Sequence, residues 1–182
     1  VVDELASALD ALAADDLFDI SGPALLDRTR NLVAARNRLD AELARTVRRA
    51  ETTQAPEHDG LKAMTSWLAG HCRIAGATAA QIVRAGRVIE QLPAVAAAFA
   101  HGAVGADQIA VIAPVVQPGN LAKAADQGID LGAVDQVLAQ TAATQRHDRL
   151  RQVVHHYLRR VEDLLILRVE YQQELKIAQA TS

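Results

Sequence analysis

From Ser21 to Thr52 the chain carries no residue that would stop a helix once one has begun. Ser21-Gly22-Pro23 reads as a start signal, with Ser21 as N-cap and Pro23 in the first turn, where a missing N–H costs nothing. Leu25, Leu32, Leu39, Leu43, Val47 and Ala50 mark one face, while Arg28, Arg38, Glu42, Arg45 and Arg49 decorate the others. A helix of roughly 30 residues is about 45 Å long, too long to be covered by one short neighbour. The chain must therefore supply several further helices or leave much of this one uncovered. Its composition favours the first outcome. Alanine fills 37 of 182 positions, and the only aromatic residues are Phe18, Trp67, Phe99, Tyr157 and Tyr171. Alanine is the best helix former and aromatics favour strands, so the expectation is an all-α multi-helix bundle of six to nine helices without a sheet.

Punctuation residues divide the remainder. Residues 2–14 form a one-sided apolar stripe with acids opposite, residues 53–60 read as a loop around Pro56 and Gly60, and shorter helices are predicted over 61–71, 76–91, 93–101 and 105–116. Pro114 should kink or end the last of these, and Gln117-Pro118-Gly119 reads as a turn. Asp130 caps a helix running to about residue 143, and a second long helix is expected within 144–178. The corresponding division is an acidic N-terminal helix (1–20), a helical domain (21–160) and a divergent helical tail (161–182).

The net charge of −3 conceals an asymmetry, because residues 1–20 hold six acids and no base. Sixteen of the 19 basic residues are arginine, which suits phosphate forks but is also what a GC-rich genome encodes without selection for binding. Cys72 is the only cysteine, which excludes an intramolecular disulfide and any cysteine-clustered metal site. It is expected to be a buried thiol beside a helix-end histidine. No stretch is apolar enough to cross a membrane and no basic, then apolar leader opens the chain, so a cytoplasmic protein is expected.

Residues that could carry chemistry do not assemble into a catalytic pattern. His147 and His155 lie two helical turns apart, His156 points about 100° away, and the adjacent arginines oppose a cation. His71 and Cys72 are neighbours on a helix and diverge, and His101 sits at a helix C-terminus, where an imidazolium meets the dipole favourably. Neither a phosphate-binding glycine loop nor a nucleophile elbow is present. The expectation is no catalysis, no metal and no cofactor.

The segment around Trp67 to Gln91 is more informative. A short helix with an apolar Trp67-Leu68 face is followed by a break near Ile74 to Gly76 and a second helix. That helix should turn Ala79, Ile82, Val83 and Gly86 inward and Thr78, Gln81, Arg84 and Arg87 outward. This is the layout of a helix-turn-helix, in which outward residues of the second helix meet base edges in the major groove, and Arg73 is placed to reach a phosphate. Any alanine-rich hairpin also turns its polar residues outward. The candidate DNA-contacting set is therefore Arg73, Thr78, Gln81, Arg84 and Arg87.

Trp67 to Ala69, the run from Ala77 to Phe99 (ATAAQIVRAGRVIEQLPAVAAAF), Gly102, Val104, ADQIAVIAPV from Ala106 to Val115, and RLRQVVHHYL from Arg149 to Leu158 together resemble the 13E12 repeat family. The resemblance covers roughly residues 25–158. It implies a helical domain of unknown function, from GC-rich actinobacteria, that ordinarily precedes an HNH nuclease domain. The nuclease residues do not carry over, since His155-His156 lies in a helical pattern and the stretch after Val161 departs from the family. The order of helix-turn-helix, Leu-Pro and a following helix is also similar to the DNA-binding domain of ParB partition proteins. The expected function is a non-catalytic module that positions a nuclease on DNA. The alternative is a protein-interaction or oligomerisation module: the helices 23–52 and 145–178 expose stripes that a partner or second copy could cover, and Leu164 to Leu167 sweep through about 300° of a helix.

Overall fold

Proline, glycine and the spacing of small residues decide where each helix of this chain begins, ends and packs, as a computed structural model describing residues 1–162 shows. Those residues hold α1 (Val2–Ala14), α2 (Gly22–Thr52), α3 (Met64–His71), α4 (Gly76–Gln91), α5 (Pro93–Ala100), α6 (Ala106–Ile112), α7 (Pro118–Asp126) and α8 (Leu131–Thr144). Residues 147–162 are helical as well and are termed α9. Two short 3-10 helices, Ala55–Asp59 and Ala113–Val116, complete the set. There is no strand among the described residues, so the protein is an all-α multi-helix bundle.

Two punctuation signals act differently from their sequence reading. Pro118-Gly119 does not make a free turn. Gln117 ahead of the proline is extended (ψ 138°), and the proline occupies the first turn of α7, where it lacks only a hydrogen bond the helix would not make. The segment 53–60, expected to be a loop, holds a 3-10 turn entered through Gln54 in the left-handed region (φ 56°), with Pro56 buried. The helix predicted from residue 61 starts at Met64. Pro114 converts α6 into a 3-10 turn, as its missing N–H requires, and Asp130 caps α8 by accepting from the N–H groups of Gly132 and Ala133 (2.8 and 3.2 Å). The apolar run Leu164 to Leu167, the tail beyond residue 162 and the far end of the second long helix lie outside the described residues.

The chain divides into two compact units at Val33. In the unit of residues 1–33 no residue is buried, and Arg28 of α2 ties to α1 by donating to the Leu12 carbonyl (3.0 Å) and pairing with Asp15 (2.5 Å). The unit beginning at Ala34 has two cores. The larger gathers Val88, Leu92, Val95, Phe99, Val104, Ile109, Ile112, Val115, Leu138, Leu150 and Val154. The smaller joins Val47 of α2, Met64 and Leu68 of α3, and Ala79 and Val83 of α4. α4 packs against α3, α5 and α6, so it borders both.

The face that α2 buries keeps only the end of the expected stripe, Val47 and the partly buried Ala50, and leaves out its leucines. Ala41, Ala44 and Val47 are buried, whereas Leu39 and Leu43 remain 50% and 40% exposed. Small side chains are needed there because α4 approaches the α2 backbone at Gly86, where an added Cβ would sit 2.9 Å from the Ala44 carbonyl oxygen. Leucines on that face would hold the two axes apart. Gly102 is a second such point. Its φ is +82°, a Cβ there would lie 2.5 Å from the Ala34 carbonyl, and Asn37 donates to the Gly102 carbonyl across the contact (3.1 Å).

Asp135 of α8 is buried and has a definite task. Its carboxylate accepts from the N–H groups of Ala94 (2.7 Å) and Val95 (3.0 Å), the unsatisfied donors at the start of α5. The residue before α5 is Leu92, which offers no side-chain acceptor, so a neighbouring helix supplies the cap that the local sequence lacks.

Candidate nucleic-acid interface

α3 ends at His71, and the next four residues reverse the chain. The Cys72 N–H donates to the Leu68 carbonyl (3.0 Å), Arg73 takes the left-handed conformation (φ 56°), and Ala75 is extended ahead of α4. Met64 and Leu68 of α3 then meet Ala79 and Val83 of α4 in the small core, with Trp67, Ile74 and Ile82 packed around it. Trp67 is held from outside as well. Its indole N–H donates to Asp59 (2.6 Å), and the His71 ring stacks on it with centroids 4.9 Å apart. Cys72 is exposed, contrary to the buried thiol expected: it lies in the turn after α3 and takes no part in the small core.

Arg73, Thr78, Gln81, Arg84 and Arg87 are all exposed, and Ala79, Val83 and Gly86 are buried with Ile82 partly so. The five outward residues do not form one face. Residues three apart on a helix drift by about 60°, so Thr78 and Arg87 are separated by about 180° around α4. That rotation carries Arg87 to α2, where its guanidinium pairs with Glu51 through both Nη2 and Nε.

Glu51 also accepts from Arg48 (2.7 Å), and Arg48 donates in turn to Glu90 (2.5 Å), so two arginines and two glutamates join α2 to the end of α4. The Arg87 hydrogen bond, followed by that of Arg48, holds the Glu51 carboxyl below its ordinary range despite partial burial. Arg48 is held above its ordinary value, chiefly by its hydrogen bond to Glu90. By contrast, no carboxylate pairs with Arg73 or Arg84 among the described residues. Arg73 and Arg84 are thus exposed without a carboxylate partner, whereas Arg87 is exposed and paired with Glu51. Glu51 is the residue that sequence reasoning missed. Its spacing to Arg48 is a legible helical pair, but its pairing with Arg87 spans 36 positions and depends on the α2–α4 crossing.

His147, His155 and His156 are exposed on α9, and no group of three or more His, Cys, Asp or Glu side chains placed to hold a metal occurs among the described residues. His101 ends α5 with Nδ1 2.7 Å from the Ala97 carbonyl oxygen.

A family model described as a domain of unknown function, DUF222, matches residues 26–163, about three quarters of the chain. The chain belongs to the DUF222 family. The DUF222 match takes in α2 almost entirely, both helices of the α3–α4 hairpin and the whole of the larger core, while α1 precedes it. No curated protein and no solved structure matched the chain. No helix among the described residues of this DUF222 protein is long and apolar enough to cross a membrane.

Proposed function

We propose that this DUF222 chain is a non-catalytic, cytoplasmic helical module, of the kind found with HNH nucleases in the 13E12 repeat proteins of actinobacteria, and that it positions a nuclease partner on DNA. The observation that carries the reading is the exposed, carboxylate-free pair Arg73 and Arg84 flanking Thr78 and Gln81 on an anchored helix-turn-helix. Arginine and glutamine fork onto base edges, and Arg73 in the turn is placed for a phosphate. The resemblance of residues 25–158 to the 13E12 repeat family supports the nuclease association. Two free arginines make few phosphate contacts, so affinity at physiological salt is expected to be no tighter than about micromolar, with tight binding supplied by the partner domain or a second copy. The test is binding of the full chain to duplex DNA over a range of salt. A measurable slope that shrinks in Arg73→Ala and Arg84→Ala supports the reading, and no binding at low salt ends it.

A second reading, a protein-interaction module, is favoured by one specific observation: Leu5, Leu9, Phe18, Leu26, Leu32 and Val33 of the N-terminal unit are all exposed.

A further inference from the structure

α2 and α9 are both rich in arginine, and they treat it differently. Five of the seven arginines of α2 pair with a carboxylate: Arg28 with Asp15, Arg30 with Asp27, Arg36 with Asp40, Arg45 with Glu42, and Arg48 with Glu51 and Glu90. Residues 146–160 hold five arginines and one acid, Asp148, a formal charge of +4 in a chain whose total is −3. None of those five arginines pairs with a carboxylate among the described residues. Base composition can supply arginine to both helices, but it does not decide which of them goes without carboxylates.

The unpaired charge also has a direction. At about 100° per residue, Arg149, Gln152, His156, Arg159 and Arg160 fall within about 100° of one another around α9, and all five are exposed. Leu150, Val154 and Val161 lie on the other side and are buried. Gln127 donates to the Val161 carbonyl (2.7 Å) and Lys123 pairs with Glu162 (2.5 Å), so the far end of α9 is anchored and its carboxylate is already engaged. Asp148 borders the basic arc at its start. About 16 Å along the axis separates Arg149 from Arg160. Duplex DNA carries one charge per about 1.7 Å of its axis, so such a stripe meets several phosphates at once. An acidic protein is the poorer fit, because protein interfaces are built on apolar or aromatic anchors and none of the exposed large apolar side chains belongs to α9.

We propose that this face of α9 contacts the phosphates of duplex DNA without regard to sequence. The proposal rests on the DNA reading for its ligand and adds a surface on a different helix from the α4 edge.

The test is fluorescence anisotropy of the full chain with two duplexes of unrelated sequence over a range of salt. In Arg149→Gln/Arg159→Gln/Arg160→Gln the salt slope drops by roughly two to three units, since each phosphate contact contributes about 0.9, and low-salt affinity falls at least about tenfold for both duplexes alike. Arg149→Lys/Arg159→Lys/Arg160→Lys keeps the charge and most of the slope, which separates loss of charge from loss of structure. An unchanged slope in the glutamine variant overturns the proposal, and the DNA reading survives it if Arg84→Ala still loses slope. A loss on α9 with none in Arg84→Ala supports the proposal and removes the α4 edge. A parent that binds neither duplex at low salt overturns both. Polyglutamate that binds as tightly as DNA, and is released by the glutamine variant, overturns the proposal in favour of an acidic protein partner.

Discussion

Residues 1–33 and the helices beyond them draw on the same alanine- and leucine-rich composition, yet one region buries nothing and the other builds two cores. The difference lies in what the helices can approach. In the unit beginning at Ala34, Ala44 and Gly86 let two backbones come close, and larger residues such as Phe99 and Leu92 are buried in the same core cluster as Ala41 and Ala44. In residues 1–33 the leucines are present, and small residues too, but none of these side chains is buried. Leucine periodicity therefore marks an apolar face without saying whether the chain itself covers it.

The widest gap between the regions should appear in paired core deletions. Phe99 is fully buried, so Phe99→Ala should cost about 3–5 kcal/mol of unfolding free energy by chemical denaturation. Leu9→Ala should stay within about 0.5 kcal/mol in the isolated chain. A comparable loss at Leu9 would mean that the N-terminal unit is packed after all.

Next in size is the cap across helices. Asp135→Ala strands the buried Val95 N–H together with that of Ala94, and should cost about 1–3 kcal/mol. Asp135→Asn, which keeps one acceptor, should cost less. In residues 1–33 the only comparable contact is that of Arg28 with the Leu12 carbonyl at the end of α1, so substitution of Asp10, whose side chain makes no such contact among the described residues, should be silent in the same denaturation series.

The smallest stability effect is expected at Glu51 and has a pH signature. Its folded-state pKa is lowered, so its contribution is fully present above the unfolded value of about 4.3 and is lost as pH falls through the depressed native value. Glu51→Gln should flatten the stability profile across that acidic window while leaving neutral-pH folding intact. The same variant frees Arg87, so any DNA affinity should rise with it.

Much of the fold was legible in the sequence because its signals are local. Helix periodicity, the Pro23 start, Asp130 and Pro114 each act within one turn of the backbone. The hairpin Met64 to Gln91 and its outward residues were legible for the same reason. What could not be read depends on tertiary approach. The buried face of α2 is set by Gly86 on another helix, Asp135 caps a helix about 40 residues away, and Arg87 pairs with Glu51 across helices. Pro118-Gly119 was ambiguous in principle, since a Pro-Gly dipeptide suits the bend of a turn and the first turn of a helix alike.

The central claim is that the α3–α4 hairpin meets DNA through Arg73 and Arg84 and not through Arg87. It is tested most directly by fluorescence anisotropy of duplex DNA against the full chain, repeated from low to physiological salt for the parent, Arg84→Ala and Arg87→Ala. The account predicts weak, salt-sensitive binding by the parent, a loss of roughly one unit of salt slope in Arg84→Ala, and a smaller change in Arg87→Ala. Binding that is absent in the parent at low salt, or unchanged in Arg84→Ala, would contradict it.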